Sequence, residues 1–569
     1  MSEIQKVSLV QSKPGIRRDG TNLDGENYSD GKWVRFQRSR PKKIGGYSRS
    51  SSFLSGPVRD VQVWSRGQLN NVFTFSGHQI EVTQIDENGG GSSVARVTPL
   101  ADFTGSDDFL WSTDVMFDAA AGSEATIVLA VPTKTLSNID DFTEYSLYWG
   151  LSDGSAEFEK VADSNAVASG GVFVTSPYAV LYGSDGKVTW SNANEPQNYT
   201  TGDAGSARIT GSKIVQGHAL RSGTGASGIL WTLDSLIKME YIGGNAIFRF
   251  SKIGVSSILA QNSVIEYDGV FYWIGIDRFL TSNGSTIAEV PNDMNLNWFF
   301  DNLNYAQRQK IWAMKIPRFG EIWWFYPRGD ATECTHAIVL NLREQCWYDC
   351  ELARSAGFYS QVFRYPIMFG SDFNRNRSIV LTVESGTISI GDVVTGGTSG
   401  ATGVAVSFIS STEVIVELIS SVEFVADEEL TFPDATATLD AQSDLYSMFI
   451  HEKGLNAIEG DNELAIESYF TTADFGLPAN QGLNRFTRLT RIEPDFIQRG
   501  TMTVEVLSNE QANSDQEIDG PLPFTNETEK IDMRVQRRHL QLKFKSNELN
   551  GNYEMGKSIM WTEPGDLRS

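Results

Sequence analysis

The residue types that could hold a metal ion are scarce and poorly spaced in this sequence. Cys334 and His336 are two positions apart and Cys346 and Cys350 are four apart, but no second cysteine or histidine pair completes a set of four ligands. Closed zinc sites almost always have four ligands. We therefore expect no metal site, and we expect the cysteines to be small apolar side chains close to Trp347.

The serines and glycine-rich segments do not form a catalytic or phosphate-binding motif. Ser227 and Ser399 each follow a glycine and one further residue, as in a nucleophile elbow, but the glycine required two positions later is absent from both. The glycine run over residues 396–403 lacks the Gly-Lys-Ser/Thr ending of a phosphate-binding loop. The sequence therefore nominates no catalytic residue and no cofactor.

Carboxylates could act on glycans, because paired acids cleave glycosidic bonds when they lie roughly 5 Å or 6.5 to 9.5 Å apart. Spacing along an all-β chain does not reveal which acids meet. Near matches to the Asp-box of sialidases, Ser-x-Asp-x-Gly-x-x-Trp, occur over residues 184–190 and 29–33, but Asp and Gly are adjacent in both. A glycan-binding or glycan-hydrolysing protein, receptor-binding or sialidase-like, therefore remains an alternative function.

Basic side chains cluster within twelve residues near the start of the sequence. No acid interrupts this segment, which also contains Trp33 and Phe36. Such a cluster could contact DNA phosphates or an acidic face of a neighbouring subunit. On an acidic protein we favour the subunit contact, and the candidate contact residues are Lys32, Arg35, Arg38, Arg40, Lys42 and Lys43.

The net charge limits the partners further. The 569 residues include 47 basic and 71 acidic side chains, which gives a formal charge of −24. Proteins bind duplex DNA through Lys and Arg that displace counterions, so we do not expect tight, sequence-reading DNA binding. No apolar run approaches the ~18 residues that cross a bilayer, and the first residues show no export signal. We expect no membrane-spanning segment and synthesis in the cytoplasm.

The elements that must position any site are strands, because apolar residues alternate with a period of two. Leu540, Leu542 and Phe544 alternate with polar residues, and residues 502–506 show the same pattern. Polar turns that contain Gly or Asn separate such segments over several hundred residues. Helix is expected only around residues 293–301 and 303–309.

Tryptophans give a weak internal repeat within these strands. Trp149, Trp190, Trp231 and Trp273 follow one another at intervals of 41, 41 and 42 residues. Four-stranded propeller blades have about 40 to 50 residues. The spacing favours an all-β fold with a β-propeller-like main body over a series of stacked sandwiches.

One segment differs in composition from the rest. Residues 378–441 contain ten acids and no Lys, Arg, Trp, Tyr or Cys, and two similar strand patterns lie at 386–395 and 422–431. We interpret this segment as a small inserted β-barrel-like module. The expected domains are a basic N-terminal arm (1–50), the propeller with associated β elements (51–377), the inserted acidic module (378–441), and a continuation that closes the propeller or a platform (442–569).

Several motifs resemble those of one known family. Residues 24–36 (Asp-Gly-Glu-Asn-Tyr-Ser-Asp-Gly-Lys-Trp-Val-Arg-Phe) and 41–47 (Pro-Lys-Lys-Ile-Gly-Gly-Tyr) are similar to the opening of the tail nozzle or hub proteins of short-tailed bacteriophages, also called packaged-DNA stabilisation proteins. Residues 264–273 and 321–327 resemble the blade strands of that family, and residues 533–544 resemble its ending. The resemblance covers most of residues 20–370 and 485–569, and residues 101–163 and the inserted module depart from it.

The resemblance implies a structural virion protein without enzymatic activity. Its members are expected to form a homohexameric ring in the phage tail, through which the genome is retained and then ejected. The implied partners are other copies of the chain, a portal-adaptor protein, tail fibres or spikes, and packaged DNA in transient, non-specific contact. An acidic surface suits this role because it repels phosphate.

Overall fold

A computed structural model describes residues 6–9, 12–21, 24–66, 69–77, 79–89, 91–99, 109–119, 125–134, 143–155, 157–221, 225–370, 376–459, 462–476 and 485–567. The main body is a β-propeller of seven blades, each built around a four-stranded antiparallel sheet. The first strand of each blade lies next to the central axis and contacts the first strand of at least one neighbouring blade. The all-β, propeller-like fold expected from the sequence is confirmed.

Six blades follow one another along the chain. Blade 1 contains Val58–Arg66, Leu69–Ser76, Gln79–Ile85 and Gly91–Pro99, and blade 2 contains Phe109–Asp118, Ala125–Lys134, Tyr148–Leu151 and Glu159–Lys160. Blade 3 contains Gly171–Thr175, Tyr178–Tyr182, Lys187–Trp190 and Gly205–Arg208, and blade 4 contains Ile214–Ala219, Ser227–Thr232, Ser235–Tyr241 and Phe248–Val255. Blade 5 contains Ile265–Tyr267, Val270–Ile274, Phe279–Ser282 and Ile287–Glu289, and blade 6 contains Trp312–Ile316, Glu321–Tyr326, His336–Asn341 and Cys346–Glu351.

Blade 7 is assembled from three distant parts of the sequence. Its first two strands are Arg354–Phe358 and Ile367–Gly370, its third is Tyr446–His451, and its outer strand is Tyr47–Leu54 from the N-terminal region. Two short strands, Ala457–Glu459 and Asn462–Leu464, extend the same sheet. The ring therefore closes only when a strand that precedes blade 1 pairs with blade 7.

Apolar side chains between neighbouring blades form the propeller core. Trp231 of blade 4 and Trp273 of blade 5 are fully buried, with their ring centroids 5.7 Å apart. The tryptophan repeat does not mark equivalent positions, however. Trp149 and Trp190 lie in the third strands of their blades, whereas Trp231 and Trp273 lie in second strands. The spacing reflects the length of a blade and not a conserved place within it.

The expected inserted barrel is present within blade 7. Its six strands close in the order 376–386, 413–418, 402–408, 393–396, 429–432 and 435–444 around their own apolar core. The strands are Asn376–Gly386, Val393–Gly396, Thr402–Phe408, Glu413–Leu418, Glu429–Phe432 and Ala435–Asp444. Arg377 pairs with Asp444 across the first and last strands, so the barrel begins and ends at the same place.

Residues from both ends of the described chain form a β-sandwich beside blade 6. Strands of the N-terminal segment pair within these sheets, so the segment does not extend away from the fold as an arm. One sheet contains Lys6–Leu9, Ile559–Leu567, Arg485–Glu493 and Ile531–Arg537, and a second contains Asp30–Lys32, Ser468–Thr471, His539–Ser546, Met502–Asn509 and Glu517–Phe524. A third contains Phe496–Arg499, Asn552–Met555, Arg40–Lys43 and Val34–Gln37.

The remaining elements are short. The strands Lys13–Ile16 and Asn27–Tyr28 pair in parallel, and Tyr145–Ser146 pairs with Val167–Ala168. The α-helix Leu296–Asn302 and the 3₁₀ helix Tyr305–Lys310 confirm the two expected helical segments, and further 3₁₀ turns are Ser184–Gly186, Gly244–Ala246 and Gln261–Ser263. Among the described residues, no helix is long and apolar enough to cross a membrane.

Removal of the barrel tests whether it is an independent unit. We expect a variant in which residues 376–444 are replaced by a short Gly-Ser linker to fold, because antiparallel partners such as Arg377 and Asp444 are only about 5 Å apart. The measurement is near-ultraviolet circular dichroism with thermal unfolding. The same cooperative transition should persist, and an insoluble or molten product would show that the barrel is part of the propeller core.

Candidate functional site

A polar cavity lies on the propeller axis. It has a volume of about 180 Å³, and residues of all seven blades or of the turns that precede their first strands line it. Apolar side chains such as Phe173 and Trp312 contribute part of the wall. The polar side chains are Arg59, Asp60, Ser112, Thr113, Asp114, Gln216, His218 and Asn262.

Irregular backbone helps to place these side chains. The first strands of blades 1, 4 and 7 each contain a register shift, between Val58 and Asp60, between Ile214 and Gln216, and after Arg354. A β-bulge breaks the alternation of side chains and re-aims them locally. Arg59 and Asp60 can therefore both serve the axial cavity although they are neighbours in a strand.

Asp60 is held at the junction of blades 1 and 2. Its carboxylate accepts hydrogen bonds from the backbone N–H of Val61 at 2.8 Å and from the Thr113 hydroxyl at 2.8 Å. Burial raises the pKa of Asp60 to about 7, against the lowering effect of these bonds, and the nearby Asp114 raises it further. Burial therefore favours the protonated form of this carboxyl.

Asp114 occupies the corresponding junction between blades 2 and 3. Its carboxylate accepts hydrogen bonds from the backbone N–H of Val174 at 2.7 Å and of Val115 at 2.8 Å. Burial raises the pKa of Asp114 to about 6, while these bonds and the charge of Arg221 lower it. The two acids thus interact electrostatically and differ in their readiness to hold a proton.

An ion pair holds the Arg59 side chain in place at the cavity. The Arg59 guanidinium donates two parallel hydrogen bonds of 2.8 Å to the carboxylate oxygens of Glu333, and Lys310 lies 2.6 Å from the same carboxylate. Burial raises the pKa of Glu333, but Arg59 and Lys310 outweigh it and lower the pKa overall. A bidentate pair of this kind sets geometry as well as charge.

Side chains from three strands form a hydrogen-bonded chain along the wall. The Ser112 and Tyr182 hydroxyls lie 3.4 Å apart, and Tyr182 donates to Gln216 Oε1 at 2.8 Å. Gln216 Nε2 lies 3.1 Å from His218 Nε2. The His218 ring packs against Trp231 and Phe271 with centroids 5.7 and 5.9 Å apart.

The turn Gln261–Ser263, which precedes blade 5, crosses the axis. Gln261 donates to the Trp111 carbonyl at 3.4 Å and accepts from the Thr133 hydroxyl at 3.1 Å, both in blade 2. Asn262 donates to the Arg59 carbonyl of blade 1 at 3.2 Å. Gln261 and Ser263 are buried. These contacts place the turn against one side of the cavity as its floor.

This arrangement suits acid-base chemistry on a neutral polar ligand. Two interacting carboxyls with separated pKa values can supply one proton donor and one base or nucleophile. The surrounding amide, hydroxyl and imidazole groups offer donors and acceptors for hydroxyl groups. Among the described residues, no group of three His, Cys, Asp or Glu side chains is arranged to hold a metal ion. The three cysteines are buried and unpaired with one another.

The basic residues selected from the sequence lie elsewhere, in the sandwich. Arg35 and Lys43 are buried and so cannot contact a subunit or DNA directly. Lys32 pairs with Glu351 at 3.0 Å, and the Lys42 ammonium and the Arg40 guanidinium lie 3.9 and 3.7 Å from Glu554. Arg38 is exposed. A contact through the exposed members of this set stays a prediction.

Arg35 has a structural role in the fold. Its guanidinium lies 2.9 Å from the Glu321 carboxylate of blade 6, donates to Glu452 at 2.6 Å, and stacks 3.6 Å from the centroid of the Phe319 ring. Tyr348 donates to Glu321 at 2.6 Å. Burial lowers the pKa of Arg35, but the two carboxylates raise it above its usual range. The network ties the sandwich to blade 6 and to the segment after blade 7.

Comparison with known proteins supplies no family. No family model matches the chain, and no curated protein matches it. An exo-β-1,3-galactanase from Phanerochaete chrysosporium, solved with β-1,3-galactotriose, is 8% identical, with 91% of this chain and 100% of that chain covered and a TM-score of 0.24. An ancestral GH74 enzyme is 11% identical, with 70% of this chain and 52% of that chain covered and a TM-score of 0.36. A bifunctional GH43-CE protein from Bacteroides eggerthii is 7% identical, with 92% of this chain and 64% of that chain covered and a TM-score of 0.24.

These findings correct the expected function. The three structures described above carry the names of carbohydrate-active enzymes, and against them the prediction of a non-enzymatic tail nozzle that ejects DNA is wrong. With TM-scores below 0.5, none of these structures identifies a substrate or a site in this chain. The resemblance to the nozzle family, the homohexamer, and the portal-adaptor, fibre and DNA contacts stay predictions.

No motif in the sequence marks the axial acids. Asp60 and Asp114 are isolated acids in ordinary strand patterns, 54 positions apart, and each meets its partners in the next blade. Only the three-dimensional pairing of blades identifies them.

Substitution of Arg35 tests its structural role. We expect Arg35→Met to lower the free energy of unfolding by about 3 to 5 kcal/mol, because it leaves Glu321 buried without its cation. Arg38→Met, at an exposed position of the same segment, is the matched control and should change stability by less than about 0.5 kcal/mol. Chemical denaturation measures both, and equal stabilities would contradict this role.

Proposed function

We propose that this chain is a carbohydrate-cleaving β-propeller that hydrolyses a glycosidic bond in the axial cavity. The observation that carries the proposal is the convergence of Asp60 and Asp114, two interacting carboxyls with raised pKa values, in the polar axial cavity. Hydrolysis of glycosides by a carboxyl pair requires one acid that is protonated and one that is ionised.

The charges near each carboxyl assign the two roles, because Asp114 raises the pKa of Asp60 and Arg221 lowers the pKa of Asp114. Asp60, with the higher pKa, is the general acid that protonates the leaving-group oxygen. Asp114, with the lower pKa, is the carboxylate that activates water or attacks the sugar. The Thr113 hydroxyl and the Val174 amide hold the two carboxylates in place. The neutral polar side chains of the wall then position the sugar hydroxyls.

Activity on a defined panel tests the proposal. The purified chain is assayed on 4-nitrophenyl α- and β-glycosides and on neutral and acidic polysaccharides, with released sugar as the readout. We expect Asp60→Asn and Asp114→Asn to lower the rate by about 10² to 10⁴, as for the loss of a general acid or base. Asp268→Asn, the same change in an exposed turn, is the control and should retain full activity.

A folded wild-type chain that releases no sugar from any member of the panel would overturn the proposal. So would axial variants that cleave as fast as the wild type. Circular dichroism of each variant separates loss of chemistry from loss of fold.

The pH dependence follows from the same two groups. We expect a bell-shaped rate profile with its maximum between about pH 6 and 7, since activity falls when Asp114 gains a proton and when Asp60 loses one. The measured limbs describe the coupled pair. A rate that stays constant between pH 5 and 8 would contradict this assignment.

Stability gives a check that needs no substrate. Because the folded-state pKa of Asp60 lies above its ordinary value of 3.8, the stabilisation by its proton is full below about pH 4 and is lost as the pH rises through about 7. Asp60→Asn removes this dependence. The unfolding temperature of the variant minus that of the wild type should therefore be larger at pH 8 than at pH 4.

A further inference from the structure

We propose that Tyr182 and Gln216 hold His218 in the tautomer that carries its proton on Nδ1, so that His218 donates a hydrogen bond to a sugar oxygen in the axial cavity. The identity of the ligand rests on the proposed function. The tautomer rests only on the hydrogen-bonded chain along the wall.

The orientation of the Gln216 amide sets the direction of each hydrogen bond in this chain. Gln216 Oε1 faces the Tyr182 hydroxyl at 2.8 Å, and because an amide oxygen can only accept, Tyr182 is the donor. The amide nitrogen then faces His218 Nε2 at 3.1 Å, and an amide nitrogen can only donate. His218 Nε2 is therefore the acceptor, and a neutral ring must carry its proton on Nδ1.

The surroundings keep the His218 ring neutral. The ring lies between Trp231 and Phe271, and burial lowers the pKa of His218 to about 4, although Glu266 acts in the opposite direction. At neutral pH the ring is thus a single-proton donor and not a cation. The amide of Gln216 acts on the ligand only through His218, so it is a positioning residue.

The Nδ1 atom is available for a ligand. His218 lines the cavity, and within the described part of the chain its Nδ1 makes no hydrogen bond to protein. This nitrogen is also not among the fully buried polar atoms without a partner, so part of its surface is accessible. A neutral donor beside carboxylate acceptors matches a sugar, whose hydroxyl groups both accept and donate.

Nuclear magnetic resonance measures the tautomer directly in the full chain. In a sample labelled with ¹⁵N at histidine, long-range ¹H–¹⁵N spectra distinguish a protonated ring nitrogen from an unprotonated one. We expect the signal that disappears in His218→Gln to show a protonated Nδ1 and a bare Nε2. His451 is the internal reference, because its Nε2 accepts from Arg354 Nε at 3.0 Å and fixes the same tautomer.

Gln216→Glu reverses the predicted polarity. A carboxylate at this position must accept from His218 Nε2, so the ring proton moves to Nε2 while the His451 signals stay unchanged. A wild-type ring protonated on Nε2, or a Gln216→Glu ring with no change of tautomer, would overturn the proposed relay.

The contact with the ligand is tested on whichever 4-nitrophenyl glycoside the chain cleaves. His218→Asn places an amide donor near the position of Nδ1, whereas His218→Gln places it near Nε2. We expect His218→Asn to keep a KM close to that of the wild type and His218→Gln to raise KM about tenfold, the effect of one lost hydrogen bond. Gln216→Glu should raise KM by a similar factor with a smaller change in kcat.

The outcomes separate this inference from the proposed function. Equal KM values for His218→Asn and His218→Gln, with cleavage intact, would overturn the donor role and leave the two carboxyls as the catalytic pair. Failure of the wild type to cleave any glycoside would refute both the hydrolysis and the sugar contact, while the tautomer measurement would still decide the relay.

Discussion

Closure of the ring is the constraint on which the rest of the structure depends. Blade 7 has an inner strand at Arg354–Phe358 but takes its outer strand from Tyr47–Leu54, which directly precedes blade 1 in the sequence. Closure requires this strand to pair with Tyr446–His451, about 400 residues later in the sequence, and contacts of such large sequence separation form slowly. The axial cavity is a product of this closure, because no single blade contains it.

The polar contacts between inner strands both hold the ring and shape its chemistry. Asp60 binds Thr113 of blade 2, Asp114 binds Val174 of blade 3, and Thr175 exchanges hydrogen bonds with Ser227 of blade 4. Each contact satisfies a polar group that would be costly to leave unpaired. The same burial that makes these contacts necessary also raises the pKa values of the two acids. The side chains that connect neighbouring blades are therefore the same ones that we propose as the catalytic pair.

The sequence predicts the local structure well because local structure has local causes. The alternation that marks Leu540, Leu542 and Phe544 places all three in the sandwich core with no exposed surface. Composition alone reveals the inserted barrel. The axial site could not be predicted in this way. A bulge interrupts the alternation at Asp60, and neighbouring blades come into contact only after folding. The sequence does not reveal the surroundings of Arg35 for a related reason. A run of basic residues does not show that Glu321, 286 positions away, pairs with Arg35 and neutralises its charge.

The turn Gln261–Ser263 connects opposite sides of the propeller. It lies in the sequence between blades 4 and 5 and is hydrogen-bonded to blade 2 through Gln261 and to blade 1 through Asn262. Movement of blades 4 and 5 away from blades 1 and 2 would break these hydrogen bonds, so the turn resists a widening of the ring.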